Sequence, residues 1–259
     1  MTAIRTVAHV PILTFHTIEA DDSPIAFPRD LFVEFLRLTT AHGYNTISLG
    51  ELQSRLKSGE GFQARTLVIT FDDGYRSVFE EAFPRLRDCG LSATLFLTLG
   101  KNPIDDSRQR FSSLCGREML NWHEVAGLAN AGWEIGAHTL SHPDLSRTPV
   151  TQAIREISES KRRIEERLGT TVAAFAYPYG RRNPLAQQWL AEEFLCACGV
   201  SLALVSSSSD PFALERIDMC YLRSRHLLPL LFSPRLAHYL RLRRIPRNVR
   251  VFLKERLVG

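Results

Sequence analysis

The sequence predicts an α/β fold in which parallel strands close into a (β/α) barrel. Short, near-continuous apolar runs alternate with helical patterns along the whole chain, and seven or eight such units occur in 259 residues with 44% hydrophobic content. A run without polar alternation belongs to a strand covered on both faces, as in a parallel sheet between helices. That many units in one chain favour a barrel over an open sheet.

The first run, Ile12 to Phe15, is followed by a helical pattern from Asp30 to His42 that Gly43 closes. A second run, Tyr44 to Ser48, leads into the helix Leu49 to Lys57, which ends near Gly59. The third, Leu67 to Phe71, precedes a helical stretch from Val78 to Cys89 closed by Gly90, with Pro84 inside it; proline lacks the N–H and clashes with the preceding turn, so the helix breaks or restarts there. Ala93 to Thr98 is the fourth run, and the helix Asn121 to Asn130 stops near Gly132 before the fifth, Trp133 to Ala137.

The clearest helix runs from Pro149 to Leu168, with Thr148 as N-cap, Pro149 at the first position, an apolar stripe at Ile154, Ile157, Ile164 and Leu168, and Gly169 as stop. Glu159 and Arg163 form an i,i+4 pair on it. Val172 to Tyr177 is the sixth run. The helix Pro184 to Phe194 separates it from a seventh at Ser201 to Val205, and an eighth lies near Ile217.

Charges interrupt every apolar run, so none reaches the roughly 18 to 20 residues of a membrane span. The N-terminal stretch lacks the pattern of a signal peptide, and the five cysteines show no paired C-x-x-C spacing; a reducing cytoplasm is the expected location. Cys196 and Cys198 read as two buried thiols on one strand face or near a helix end.

The net charge of +4 is uneven. From Leu222 to Gly259, ten Lys and Arg face one acid, Glu255, leaving +9 there and −5 on residues 1–221. The expected division is a barrel over 1–221 and a basic C-terminal tail over 222–259. Its mixture of Leu, Phe and Arg suits an anionic membrane surface, or equally a helix packing its apolar side on the domain. An acidic body with basic residues confined to the tail argues against nucleic acid.

The polar candidates fall at one place in every unit. His16 follows the first run, Asp72 and Asp73 the third, His138 the fifth, and Pro178 and Tyr179 the sixth, all at carboxyl ends of expected strands, where a barrel assembles its active site. Two imidazoles and a carboxylate are the ligand set of a catalytic metal site with an open position for water. Neighbouring residues on a strand point to opposite sides, so Asp72 and Asp73 must occupy the turn that Gly74 relaxes, with one carboxylate on metal and the other free as base. His138 and His142, four apart, share a face if that segment turns helically. D-D-G and H-x-x-x-H are each weak alone; together at strand ends they make one candidate site.

T-F-D-D-G at 70–74, followed by H-T-L-S-H-P-D-L at 138–145, resembles the polysaccharide deacetylase family (carbohydrate esterase family 4, with its nodulation-type homology domain). P-I-L-T-F-H at 11–16, the helix Glu156 to Glu165 and F-A-Y-P-Y-G at 175–180 extend the similarity from about Pro11 to Met219. The resemblance implies a distorted (β/α)7 barrel, Asp72 as catalytic base, and Asp73, His138 and His142 as ligands of a divalent metal, Zn²⁺ first. The oxyanion would be met by the backbone N–H of Tyr179.

Two family features are missing. The third motif has no Arg in A-Y-P-Y, so Arg216 in L-E-R-I-D is the candidate to orient Asp72. The late L-x-H motif that carries the acid is also absent, and His226 lies in the basic tail. His16 takes that place, resembling poly-N-acetylglucosamine deacetylases, whose acid histidine precedes the D-D pair. His9, His42, His123 and His238 read as structural or surface residues; Trp122 and Trp133 read as core; Tyr177 and Tyr179 could stack on a sugar.

The implied activity is hydrolysis of the N-acetyl group of an amino sugar in a polysaccharide or glycan. The alternatives are a deacetylase or deformylase of a lipid-linked amino sugar at the cytoplasmic membrane face, an ester-cleaving relative, and a non-catalytic carbohydrate-binding protein on the same fold.

Overall fold

A computed structural model describes residues 9–100 and 106–244, and the backbone of residues 6 and 7. Residues 245–259 of the basic segment lie outside the described residues. Eight strands form one parallel sheet: β1 (Ile12–Phe15), β2 (Asn45–Thr46), β3 (Thr66–Phe71), β4 (Thr94–Leu97), β5 (Glu134–Ala137), β6 (Ala174–Ala176), β7 (Cys196–Cys198) and β8 (Ile217–Asp218). The order is β7-β6-β5-β4-β3-β1-β8, a path of seven strands, with β2 beside β3.

The helices are α1 (Arg29–Ala41), α2 (Leu49–Ser58), α3 (Phe83–Asp88), α4 (Trp122–Asn130), α5 (Val150–Leu168) and α6 (Pro184–Glu193). Between the sheet edges, residues 211–216 run beside β7: Leu214 N–H donates to Ala197 O and Gly199 N–H to Leu214 O, each at 2.9 Å. Irregular chain rather than strand pairing closes the circle, which makes this a distorted (β/α)7 barrel.

Strand alternation explains how the polar site is built. Leu13 and Phe15, Leu67, Ile69 and Phe71, Leu95 and Leu97, and Phe175 and Tyr177 belong to the large core cluster shared with the helices. Their neighbours Ile12, Val68, Phe96, Ala174, Ala176, Cys196 and Cys198 form a second, smaller cluster on the opposite face, inside the barrel. Continuing that inward column by steps of two reaches Thr14 and His16, Thr70 and Asp72, Thr98, and His138. The site is therefore the carboxyl-terminal extension of the barrel interior. At Gly136 the space allows no side chain, because a Cβ there would meet the Phe96 ring at 2.5 Å and Ala174 O at 2.9 Å.

Most helix signals hold. Asn121 and Glu124 cap α4 reciprocally, and Gly169, at φ 65°, ends α5. Pro84 marks the restart: a π-helical turn over Val78–Ala82 gives way to α3. Glu159 does pair with Arg163, at 2.7 Å. The start of α5 differs by one residue: Pro149 is the N-cap and Val150 the first helical residue, while the Thr148 hydroxyl donates to Asp144 O. A residue before proline is pushed to extended geometry, and Thr148 has ψ 132°.

The seventh strand is not at Ser201–Val205, which contributes a single antiparallel bridge from Val205 to Val10. It is Cys196–Cys198, which follows α6 by a short turn and takes the open edge of β6. Small Cys and Ala side chains suit the narrow interior there, and both thiols are fully buried on one face. Burial pushes both thiols up, Cys198 to about 12, so both are inert.

In the basic segment, Leu228, Leu231, Leu236 and Leu240 are buried in the main cluster, and Phe232 stacks on His42 at 4.9 Å. Its apolar side thus packs on the barrel through residue 240, while Arg235, Arg241, Arg243 and Arg244 stay exposed. No helix among the described residues is long and apolar enough to cross a membrane.

Candidate active site

A cavity of about 350 Å³ opens at the carboxyl ends of the strands and gathers His16, Asp72, Asp73, His138, His142, Tyr179 and Arg216. Every residue singled out in the sequence for catalysis, metal binding or base orientation therefore lines one space.

Asp72 leaves β3 with its N–H donating to Phe15 O, which ties it to the end of β1. Asp73 then adopts φ 76° and Gly74 φ 95°, so the turn costs backbone strain at the non-glycine Asp73, whereas Gly74 takes its angle freely. The two carboxylates diverge. Asp72 meets Arg216, whose Nη1 donates to Oδ1 at 2.7 Å and Nη2 to Oδ2 at 2.8 Å, while Nε donates to Gly199 O at 2.9 Å. Both side chains are buried. Burial alone would push the Asp72 carboxyl up; the charges of Arg216, His138 and His16 outweigh it and hold the group below the usual carboxylate range.

Asp73 turns to the histidines: its Oδ1 lies 3.4 Å from His138 Nε2 and 3.3 Å from His142 Nε2. Burial again works against the charge, but close contact with the two imidazoles keeps the Asp73 carboxyl well below its ordinary value. One donor atom from each of the three residues lies within 4.8 Å of the others. The Asp73 Oδ1 atom is buried and has no hydrogen-bond partner among the described residues, as an atom that receives a cation does. The His138 Nδ1–H donates to Ala176 O at 2.7 Å, which leaves the Nε2 lone pair facing Asp73. A carboxylate and two such imidazoles fit a divalent metal of the zinc type, with room left for water.

The His138–His142 segment is not helical. Thr139 and His142 take positive φ, 68° and 59°, and the Thr139 hydroxyl accepts from His142 N–H at 3.0 Å. That tight turn, rather than helical spacing, brings the two imidazoles to ring centroids 5.0 Å apart. Glu156, on α5, holds the turn from outside by accepting from Leu140 N–H, Ser141 N–H and the Ser141 hydroxyl at 2.8–3.0 Å. The two motifs sit on β3 and β5 with β4 between them. Thr98, at the end of β4, joins them: its N–H donates to Asp73 O and its hydroxyl to His138 O, each at 3.1 Å.

His16 lines the cavity with Asp218 and Thr14 on neighbouring β8 and β1. Tyr179 is 63% exposed at the mouth, has φ 58°, and stands edge-on to His142 with ring centroids 4.6 Å apart. Tyr177 is buried and donates to Phe212 O, whereas Trp122 and Trp133 belong to the core as expected. His9, His42, His123, His226 and His238 are exposed. Sequence reasoning passed over Thr98, Tyr75 and the holding role of Glu156. The period-two step beyond Phe96 points to Thr98, whereas no local pattern ties Glu156 to the turn it supports.

A model of the family described as polysaccharide deacetylase matches residues 59–193. The Bacillus subtilis (strain 168) protein named "Putative polysaccharide deacetylase YxkH" is 27% identical over 212 residues, 81% of this chain and 71% of that one. A poly-beta-1,6-N-acetyl-D-glucosamine N-deacetylase of Staphylococcus aureus (strain MRSA252) is 24% identical over 161 residues, and the match covers 59% of this chain and about half, 53%, of that protein. Among solved structures, the Streptococcus pyogenes deacetylase PplD in complex with acetate superposes with a TM-score of 0.73 at 23% identity, over 83% of this chain and 93% of that chain, which shows the shared fold. Since the family match alone spans just over half of its residues, this chain belongs to the polysaccharide deacetylase family.

Proposed function

We propose that this protein is a metal-dependent N-deacetylase that hydrolyses the acetamide of an amino sugar in a polysaccharide or glycan, releasing acetate and a free amine. The observation that carries this reading is the pairing, in one cavity, of a metal-type cluster (Asp73, His138, His142) with a separate carboxylate, Asp72, kept ionised by Arg216. The names of the relatives support the substrate class.

Asp73, His138 and His142 would hold the cation, Zn²⁺ first. Such an ion supplies Lewis acidity and lowers the pKa of water toward roughly 7. Asp72 takes the proton of the attacking water; its low pKa means it is ready as a base across neutral pH. The Tyr179 backbone N–H faces the developing oxyanion. His16, in its protonated form, gives a proton to the departing nitrogen, because an unprotonated amide nitrogen leaves poorly. Water thus adds hydroxyl to the acyl carbon and hydrogen to the amine.

The test is acetate release by zinc-loaded protein from chitooligosaccharide, poly-N-acetylglucosamine and a lipid-linked N-acetyl sugar. Release from any of them is the expected result; stoichiometric zinc with no acetate from all three overturns it in favour of a binding protein.

The exposed Arg235, Arg241, Arg243 and Arg244 with Leu242, 55% exposed, favour a lipid-linked substrate as the second reading. Sedimentation with anionic but not neutral vesicles, lost on truncation after residue 240, which spares the buried Leu236 and Leu240, would support it.

A further inference from the structure

Tyr75 follows the D-D-G turn directly and is 1% exposed, with its ring in the main core cluster. Its backbone is fixed on both sides: it bridges antiparallel to Met119, its carbonyl accepts from Val78 N–H, and Leu120 N–H donates to the preceding Gly74 O. The residue also lines the catalytic cavity beside Asp73. Its hydroxyl is buried and has no hydrogen-bond partner among the described residues. A buried hydroxyl left unpaired is costly, so it calls for a partner that another state of the site provides.

The donor has an acceptor of the right kind beside it. The Asp73 carboxylate lines the same wall, and its metal-facing Oδ1, like His142 Nδ1, is buried without a hydrogen-bond partner among the described residues. A phenol ordinarily titrates at ~10, so the Tyr75 hydroxyl carries its proton at physiological pH and can donate.

We infer that Tyr75 is a positioning residue for the metal centre, whose hydroxyl donates to the Asp73 carboxylate when a cation occupies the Asp73–His138–His142 cluster. A carboxylate with one oxygen committed to a metal leaves the other to be oriented by a neighbouring donor, and ligands held in this way bind metal more tightly. The imidazole of His138 has such support in Ala176 O, whereas the structure gives Asp73 no side-chain donor besides the two histidines. Tyr75 gives the Asp73 carboxylate the matching support. The inference rests on the metal-binding reading above but not on the identity of the substrate.

The experiment is zinc titration of wild type and Tyr75→Phe against a competing chelator, with thermal melts of the metal-free proteins. Because the hydroxyl bonds to nothing in the structure and the ring is retained, the metal-free variant should melt at the wild-type temperature or about 2–4 °C above it. Its zinc Kd should rise about 10- to 100-fold. At saturating zinc, KM should stay at the wild-type value. Equal zinc affinity in the two proteins overturns the inference, and so does a weaker affinity accompanied by a lower metal-free Tm, which would mark Tyr75 as merely structural. A wild type that binds no zinc would instead defeat the metal-binding reading itself.

Discussion

Arg216 and Asp72, 144 residues apart, meet fork to fork with two charge-assisted hydrogen bonds of 2.7 and 2.8 Å, in a site from which solvent is nearly excluded. This pair sets the protonation of the candidate base. It also makes the base dependent on a residue that immediately precedes β8, two strands away from β3 across β1.

Arg216→Met should therefore shift activity and stability together. With the guanidinium gone, burial raises the Asp72 carboxyl, so the acid limb of kcat/KM moves to higher pH. Removing one partner of a buried pair costs about 3–5 kcal/mol. Asp72 has a depressed folded pKa, so its contribution to stability is present above the unfolded value near ~3.9 and is lost as pH falls through the folded one. The stability gap between variant and wild type, read by denaturant midpoints, should thus be widest at neutral pH and shrink in acid. Arg216→Met with Asp72→Leu should recover much of the stability with no activity.

Asp72→Asn should keep zinc and lose about 10²- to 10⁴-fold in kcat, the range of a general base. Metal analysis beside steady-state kinetics checks it; turnover at the wild-type rate would remove Asp72 from that role. Asp73→Ala and His138→Ala should lose the zinc itself.

His16→Ala should retain zinc yet slow amide hydrolysis far more than hydrolysis of an aryl acetate, whose phenolate leaves without protonation. Equal losses on both substrates would count against an acid role, and loss of zinc would make His16 a ligand.

Glu156→Gln should weaken zinc binding about 10- to 100-fold although Glu156 touches no ligand atom, because the carboxylate anchors the turn between the two histidines through Leu140 and Ser141. Chelator competition is the measurement. An unchanged Kd would mean that the positive-φ turn holds itself.

Gly136→Ala should destabilise the barrel by about 1–3 kcal/mol, since the new methyl group would overpack against Phe96 and Ala174. The shift should be visible in the denaturant midpoint without any change in its slope.

The sequence by itself determined the parallel barrel, the strand ends at which His16, Asp72, Asp73, His138 and Tyr179 sit, and the helix punctuation by Gly43, Gly59, Gly169 and Pro84. These features are periodic or local, so hydrophobic runs and backbone preferences of single residues record them. Tertiary structure alone decided the rest. Cys196–Cys198, not Ser201–Val205, is the seventh strand because it pairs with the open edge of β6 whereas Val205 bridges to Val10, a choice between two apolar runs that neither one encodes. His138 and His142 converge through a turn with two positive φ values held by Glu156, not through helical spacing. The geometry that joins Arg216 to Asp72 arises only when β1 pairs with both β3 and β8, because hydrogen-bond partners 144 residues apart in sequence are set by strand pairing, and the burial that leaves the Tyr75 hydroxyl unpaired is set by packing around the D-D-G turn.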